Sequence, residues 1–145
     1  MISKPIYIDV CALSRPFDNQ DYLRIRLETE ALNLILSKVK QGKYKLLVSP
    51  VHIKEIEAIE DIFERLELQT ILEKLGENIS VNIAKARIRA EELVNLGFGA
   101  ADAAHVAFAE QSGALFISSD NKLVKLKNWD QSKPSDLLQL QKSKE

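Results

Sequence analysis

The sequence predicts a single α/β domain, a parallel sheet of about four or five strands with helices on both faces. Three observations predict it. Short apolar pieces rich in strand-forming residues alternate with longer segments of helical period. Two of those pieces run directly into an Asp or a Ser-Ser-Asp, as strands of an open α/β sheet do at a ligand-binding edge. The chain has 145 residues, 46% of them hydrophobic, with five Gly and four Pro. That is one domain with a core of its own, and it excludes a disordered or fibrous chain.

Ile6-Tyr7-Ile8 follows Pro5, ends at Asp9 and reads as the first strand. The turn-like Ser14-Arg15-Pro16-Phe17-Asp18-Asn19 leads into a helix from about Asp21 to Gln41. That helix has Leu23, Leu27, Leu34 and Ile35 at helical spacing and Gly42 as its C-cap. Tyr44 to Val48 is the second strand, and Ser49-Pro50 supply the N-cap and first residue of the next helix. The apolar pattern carries that helix past Ile62 and predicts a break between Arg65 and Leu75. Ile79 to Ile83 is expected as a short strand, and Ala84 to Leu96 as a helix before Gly97. Gly99 opens an alanine-rich helix through Ala109, Gly113 ends it, and Ala114 to Ser118 forms a strand stopping near Asp120. Beyond Lys127 the pattern fades. The polar Asn128–Pro134 segment argues against a final edge strand, and the tail from about residue 130 is expected to be irregular.

Cys11 is the only cysteine, which excludes an intramolecular disulfide and a thiolate zinc site built from this chain alone. A reduced, cytoplasmic setting is expected, with no signal peptide and no apolar run near the roughly 20 residues of a membrane span. The net charge of −1 hides a segregation. Residues 52–77 hold eight acids against three bases, whereas residues 15–45 hold seven bases against four acids and residues 121–145 six against three. A nucleic-acid partner would therefore be held by local patches rather than by a uniformly basic surface. Arg15 and Lys122 rank first as phosphate contacts because they lie close in sequence to Asp9 and Asp120. Arg24, Arg26, Lys125 and Lys127 follow.

Four acids sit where a solvated charge should not. With Ile53 at 0° and about 100° per residue, Ile56, Ile59, Ile62, Phe63 and Leu66 form an apolar arc, and Glu55 falls inside it at about 200°. Glu57, Glu60, Asp61, Glu64 and Glu67 form a solvated face. Asp102 lies in Gly99-Ala100-Ala101-Asp102-Ala103-Ala104-His105-Val106-Ala107-Phe108-Ala109, a helix without a polar face and so expected to be buried. Asp9 and Asp120 end strands. Converging at one edge, the four would repel one another and raise their pKa values unless a hard divalent cation such as Mg²⁺ or Mn²⁺ joined them. Such a site supports phosphodiester hydrolysis. Read one at a time, the same acids serve as helix caps and strand-end turn residues. His105 and His52 are expected to pack in the core, hydrogen-bonded to backbone, rather than to bind metal.

These motifs resemble those of the PIN-domain family, which includes VapC-like toxins and other metal-dependent ribonucleases. Ile6-Tyr7-Ile8-Asp9 resembles the first motif and Ser49-Pro50-Val51-His52-Ile53-Lys54-Glu55 the second. Asp102-Ala103-Ala104-His105-Val106-Ala107 resembles the third, and Phe116-Ile117-Ser118-Ser119-Asp120 the last. Cys11 and Ser14-Arg15-Pro16-Phe17-Asp18 resemble a subgroup with an Arg-Pro-Phe-Asp segment after the first acid. Two positions depart from the pattern: Val10 stands where many members have Thr or Ser, and Lys122 where many have a further acid.

The resemblance implies a single PIN-like domain over residues 1–145 with Mg²⁺- or Mn²⁺-dependent endoribonuclease activity on single-stranded RNA. Asp9, Asp102 and Asp120 would be metal ligands, direct or through water, and Glu55 would bind metal or orient the attacking water. It also implies the toxin of a type II toxin–antitoxin pair, with an antitoxin partner and a homodimer. The alternative is a non-catalytic PIN-like protein-binding module whose acids are structural. Haloacid-dehalogenase-like phosphotransfer is disfavoured, because it needs a second Asp two residues after the first and Cys11 stands there.

Overall fold

The computed structural model describes residues 3–119. Strands β1 (Lys4–Ile8), β2 (Tyr44–Val48), β3 (Gly76–Asn78) and β4 (Leu115–Ile117) form one parallel sheet in the order β3-β2-β1-β4. Between them run α1 (Val10–Leu13), a 3₁₀ turn (Arg15–Phe17), α2 (Leu23–Lys40), α3 (Pro50–Glu57), α4 (Ile62–Leu75), α5 (Ile83–Asn95) and α6 (Ala100–Ser112).

The period-two alternation of the strands divides the core into two layers. Tyr7, Leu47 and Phe116 face α5 and α6, where they meet Ala86, Leu93, Phe98, Ala103, Val106 and Ala107. Ile6, Ile8, Leu46 and Ile117 face the other way and pack on Ala12, Leu13, Leu32, Leu36, Ile56 and Leu68. The α/β/α sandwich is thus the architecture expected from the sequence. Ile6, Tyr7 and Ile8 are fully buried; each apolar side chain removed from water contributes roughly 1.5–3 kcal/mol.

Several elements differ from the sequence reading. In α2 the buried residues are Glu28, Leu32 and Leu36, while Leu23, Leu27 and Leu34 face solvent. Only Ile35 of the expected set packs against the core. Leucines occur all round this helix, and the layer beneath it selects the stripe stepping by four residues through position 28. The break after α3 comes at residues 58–61, earlier than expected. The Ala58 N–H closes α3 on the carbonyls of Lys54 and Glu55, and the Asp61 carboxylate caps α4 by accepting from the Glu64 N–H at 2.9 Å. Ile62, Phe63 and Leu66 therefore leave the arc of Ile56 and are exposed, and Asp61, exposed as expected, is also the cap of α4.

The third strand starts at Gly76, not Ile79. A Cβ at Gly76 would lie 2.5 Å from both the Leu72 carbonyl oxygen and Val48 Cγ2, so only glycine lets α4 pass straight into the sheet edge. Residues 79–82 then lead to Asn82, whose side chain caps α5. Around α6 the expectation holds: Gly99 precedes the helix, and Gly113 terminates it at φ +70°. The expectations for Asp120, Lys122, Lys125, Lys127 and the tail lie outside the described residues. Among the described residues, no helix is long and apolar enough to cross a membrane.

The strand order positions the site. From β1 the chain moves outward through β2 to β3, then returns to the opposite side of β1 as β4. The chain thus leaves β1 towards one side and comes back as β4 on the other, and the carboxyl ends of strands at such a reversal are the usual ligand position in open α/β sheets.

Candidate functional site at the carboxyl edge of the sheet

Asp9 follows β1 directly at this reversal. Its backbone N–H extends the ladder to the Ile117 carbonyl (3.1 Å), and its side chain, 2% exposed, caps α1 by accepting from the Ala12 N–H at 3.0 Å. The second carboxylate oxygen accepts from the Ser118 hydroxyl at 2.5 Å, across the reversal point between β1 and β4. One acid thus joins the strand end, the helix start and the neighbouring strand.

Glu55 projects from the second turn of α3, which starts immediately after β2. Ser49 caps this helix through a reciprocal arrangement: its hydroxyl accepts from the His52 N–H (3.5 Å), and its own N–H donates to His52 Nδ1 (3.0 Å). Histidine here does what Glu usually does in a capping box. The Glu55 side chain is 36% exposed and accepts from His105 Nε2, one turn after Asp102 in α6. Asp102 is partly buried in the first turn of α6, where the helix dipole favours a carboxylate.

Beneath these acids lies a polar cluster that the sequence reading did not assemble. The Tyr7 hydroxyl bonds to Ser49 Oγ (2.7 Å) and to His105 Nδ1 (2.5 Å). The rings of Tyr7, His52 and His105 pack together, with the two imidazole centroids 5.0 Å apart. Burial pushes the Tyr7 hydroxyl well above its usual pKa. The Ser49 hydrogen bond works the other way, and the charges of Asp9 and Glu55 add to the rise. Burial, then the neighbouring His105, lowers His52 to about 4. His52 Nε2 donates to the Ile8 carbonyl at 2.6 Å, as a packed histidine is expected to. His105 differs from its expected role: both of its ring bonds go to side chains. The available signals were a tyrosine between two isoleucines and an ionisable residue in an otherwise apolar helix.

A second cluster lies on the α2 side. Arg15 donates to Glu28 (2.9 Å) and Asp18 (2.9 Å) and reaches the Ser119 carbonyl at 3.5 Å. Arg24 donates to the same carbonyl at 3.2 Å and lies 3.5 Å from Glu28. Burial opposes the Arg15 charge, but the hydrogen bond to Asp18 and the neighbouring Glu28 more than offset it, so its pKa is raised. Arg15, expected at an RNA phosphate, thus has its donors engaged within the protein beside β4. Glu28, 3% exposed, was missed, although it is in phase with Leu32 and Leu36.

Asp9, Glu55 and Asp102 therefore come from three elements at one edge of the sheet, and Asp120 lies beyond the described residues. Their oxygen donors suit a hard cation. Among the described residues alone, no three Asp, Glu, His or Cys side chains are arranged to hold a metal ion.

No family model matches the chain, and no curated protein matches it. Among solved structures, the crystal structure of FitAcB from Neisseria gonorrhoeae is similar, with a TM-score of 0.50 at 17% identity over 79% of this chain and 87% of that one. The likeness is one of fold, and with the all-parallel β3-β2-β1-β4 sheet it gives this chain a PIN-like α/β fold.

Proposed function

We propose that the protein is a Mg²⁺- or Mn²⁺-dependent endoribonuclease that hydrolyses phosphodiester bonds of single-stranded RNA. The observation that carries this reading is Asp9, a buried carboxylate held by Ser118 at the strand-order reversal. With Asp102 and Asp120 it would hold the cation, which when bound supplies Lewis acidity and offsets charge developing on a phosphoryl group. The Ser118 hydroxyl and the Ala12 N–H fix the rotamer of Asp9, and Glu55, more open to solvent, orients the attacking water. Of the basic candidates in α2, Arg26 is exposed and suited to a phosphate contact.

Cleavage of a fluorogenic single-stranded RNA in Mg²⁺ or Mn²⁺ tests the assignment. Asp9→Asn and Asp102→Asn are each expected to lose about two orders of magnitude in rate, with the fold retained by circular dichroism. Metal-independent cleavage, or full activity in both variants, overturns it. As the toxin of a type II pair, an extension that rests on the VapC-like motifs, the protein would form a homodimer and be silenced by a co-encoded antitoxin. Growth arrest on expression, relieved by Asp9→Asn, is the expected phenotype.

One observation favours a second reading, a PIN-like protein-binding module with structural acids. Both Asp9 oxygens already accept hydrogen bonds, and Glu55 is paired with His105. On that reading the Asn variants change stability and leave no RNA cleavage to lose.

A further inference from the structure

We propose that His105 is a positioning residue for Glu55 and that Tyr7 selects the tautomer in which it works. The inference rests on the nuclease reading and adds to it the means by which one of its carboxylates is aimed.

The direction of each hydrogen bond follows from donor and acceptor chemistry. An ionised carboxylate carries no hydrogen, so the proton in the Glu55–His105 contact belongs to Nε2. In a neutral imidazole Nδ1 is then an acceptor, and the Tyr7 hydroxyl must donate to it across 2.5 Å. Tyr7 Oη in turn accepts from Ser49 Oγ at 2.7 Å. Ser49 is held in place because its N–H donates to His52 Nδ1 at 3.0 Å, while His52 Nε2 donates to the Ile8 carbonyl at 2.6 Å. With a single proton on the His105 ring, held at Nε2 by Glu55, the relay runs from Ser49 through Tyr7 and His105 to Glu55.

Burial distinguishes the two ends. Tyr7, Ser49 and His105 are all at most 2% exposed, whereas the Glu55 side chain is 36% exposed at the carboxyl edge of the sheet. A core built only for stability has no need to end on a carboxylate that water could solvate. What the relay adds is orientation. His105 offers one fixed donor, and a tautomer flip would replace it with a lone pair facing a negative oxygen. Tyr7 opposes that flip when it accepts from Ser49 and gives its own proton to Nδ1. Partners that orient a functional carboxylate or imidazole in this way are typically worth about 10- to 100-fold in activity or metal affinity.

The test uses the full chain with a fluorogenic single-stranded RNA in Mg²⁺. Replacing His105 by Phe removes the donor while filling most of the ring's space, and kcat is expected to fall about 10- to 100-fold with KM nearly unchanged. In the background of Glu55→Gln the same replacement should cost little more, because His105 acts through Glu55. His105→Gln, which keeps an N–H near Nε2, should recover part of the rate. Ring ¹⁵N spectra of the wild type should show the Nε2–H form of His105, and Tyr7→Phe should mix the tautomers.

An Nδ1–H form in the wild type, additive losses for the His105 and Glu55 variants, or an unchanged kcat in a folded His105→Phe overturns the proposal. If Asp9→Asn retains full activity, the nuclease reading fails instead, and the ring spectra still report on the relay by themselves.

Discussion

Two buried polar assemblies flank β1, one on each face of the sheet, and they are built on opposite principles. On the α5–α6 side, Tyr7, Ser49, His52 and His105 form a chain of directed hydrogen bonds in which His52 is kept neutral by burial. On the α2 side, Glu28 is a buried charge countered by Arg15 and by the partly exposed Arg24. The first is satisfied bond by bond. In the second, Glu28 Oε2 is buried with its nearest cation, Arg24 Nε, at 3.5 Å, beyond a good hydrogen bond. A neutral relay fixes geometry, and an ionic cluster anchors a segment by charge. They should therefore break under different stresses.

The charged side should show the largest response. Glu28→Ala leaves two guanidinium groups beside a buried void and is expected to cost about 3–5 kcal/mol in denaturant unfolding. Arg24→Ala, which removes the more exposed partner, should cost about 1 kcal/mol. Equal losses would place the anchor on Arg24 and erase the distinction.

Acid should act on the neutral side. The folded-state pKa of His52 is lowered to about 4 from 6.5, so between these values the unfolded chain binds more protons than the folded one. The stabilisation from keeping His52 neutral is present above pH 6.5 and is lost as pH falls towards 4, about 3 kcal/mol in all. Unfolding curves at pH 7 and pH 4.5 for the wild type and His52→Gln isolate this contribution from that of the carboxylates. A wild-type profile no steeper than the variant's would show that His52 is not held neutral.

Smaller effects sharpen the contrast. Tyr7→Phe removes one hydroxyl and leaves Ser49 and His105 short of a partner, a loss of about 1–3 kcal/mol. Arg89 bonds both oxygens of Glu110, joining α5 to α6 near the surface. Its replacement by Ala should cost no more than about 1 kcal/mol and less in high salt. A salt-insensitive loss there would mean that the pair is shielded from solvent.

Much of the fold was legible because its signals are local. Ser49-Pro50, Gly99 and Gly113 mark helix ends through backbone geometry alone, and the apolar stretches at Ile6 and Leu46 name their strands. Asp9 could be singled out because a charge at a strand end is locally anomalous, whereas the apolar arc that singled out Glu55 was drawn partly by Ile62, Phe63 and Leu66 of the next helix. The true break at residues 58–61 was less visible. Ala58 is a weak stop signal, and a continuous 100° step aligned Ile62, Phe63 and Leu66 with Ile56 when they in fact lie on a separate helix.

By itself, then, the sequence determined the α/β class, the helix ends at Ser49, Gly99 and Gly113 and the position of Asp9 at the first strand end, since each depends on neighbours within a turn or a strand. Tertiary structure decided which stripe of α2 is buried and that Gly76-Glu77-Asn78, poor in strand formers, pairs with β2 through a clearance only glycine provides. It also decided that Tyr7 and His105, 98 positions apart, share a hydrogen bond beneath Glu55. Contacts of that kind come from the order of strands in a sheet, and no local pattern encodes a partner so far along the chain.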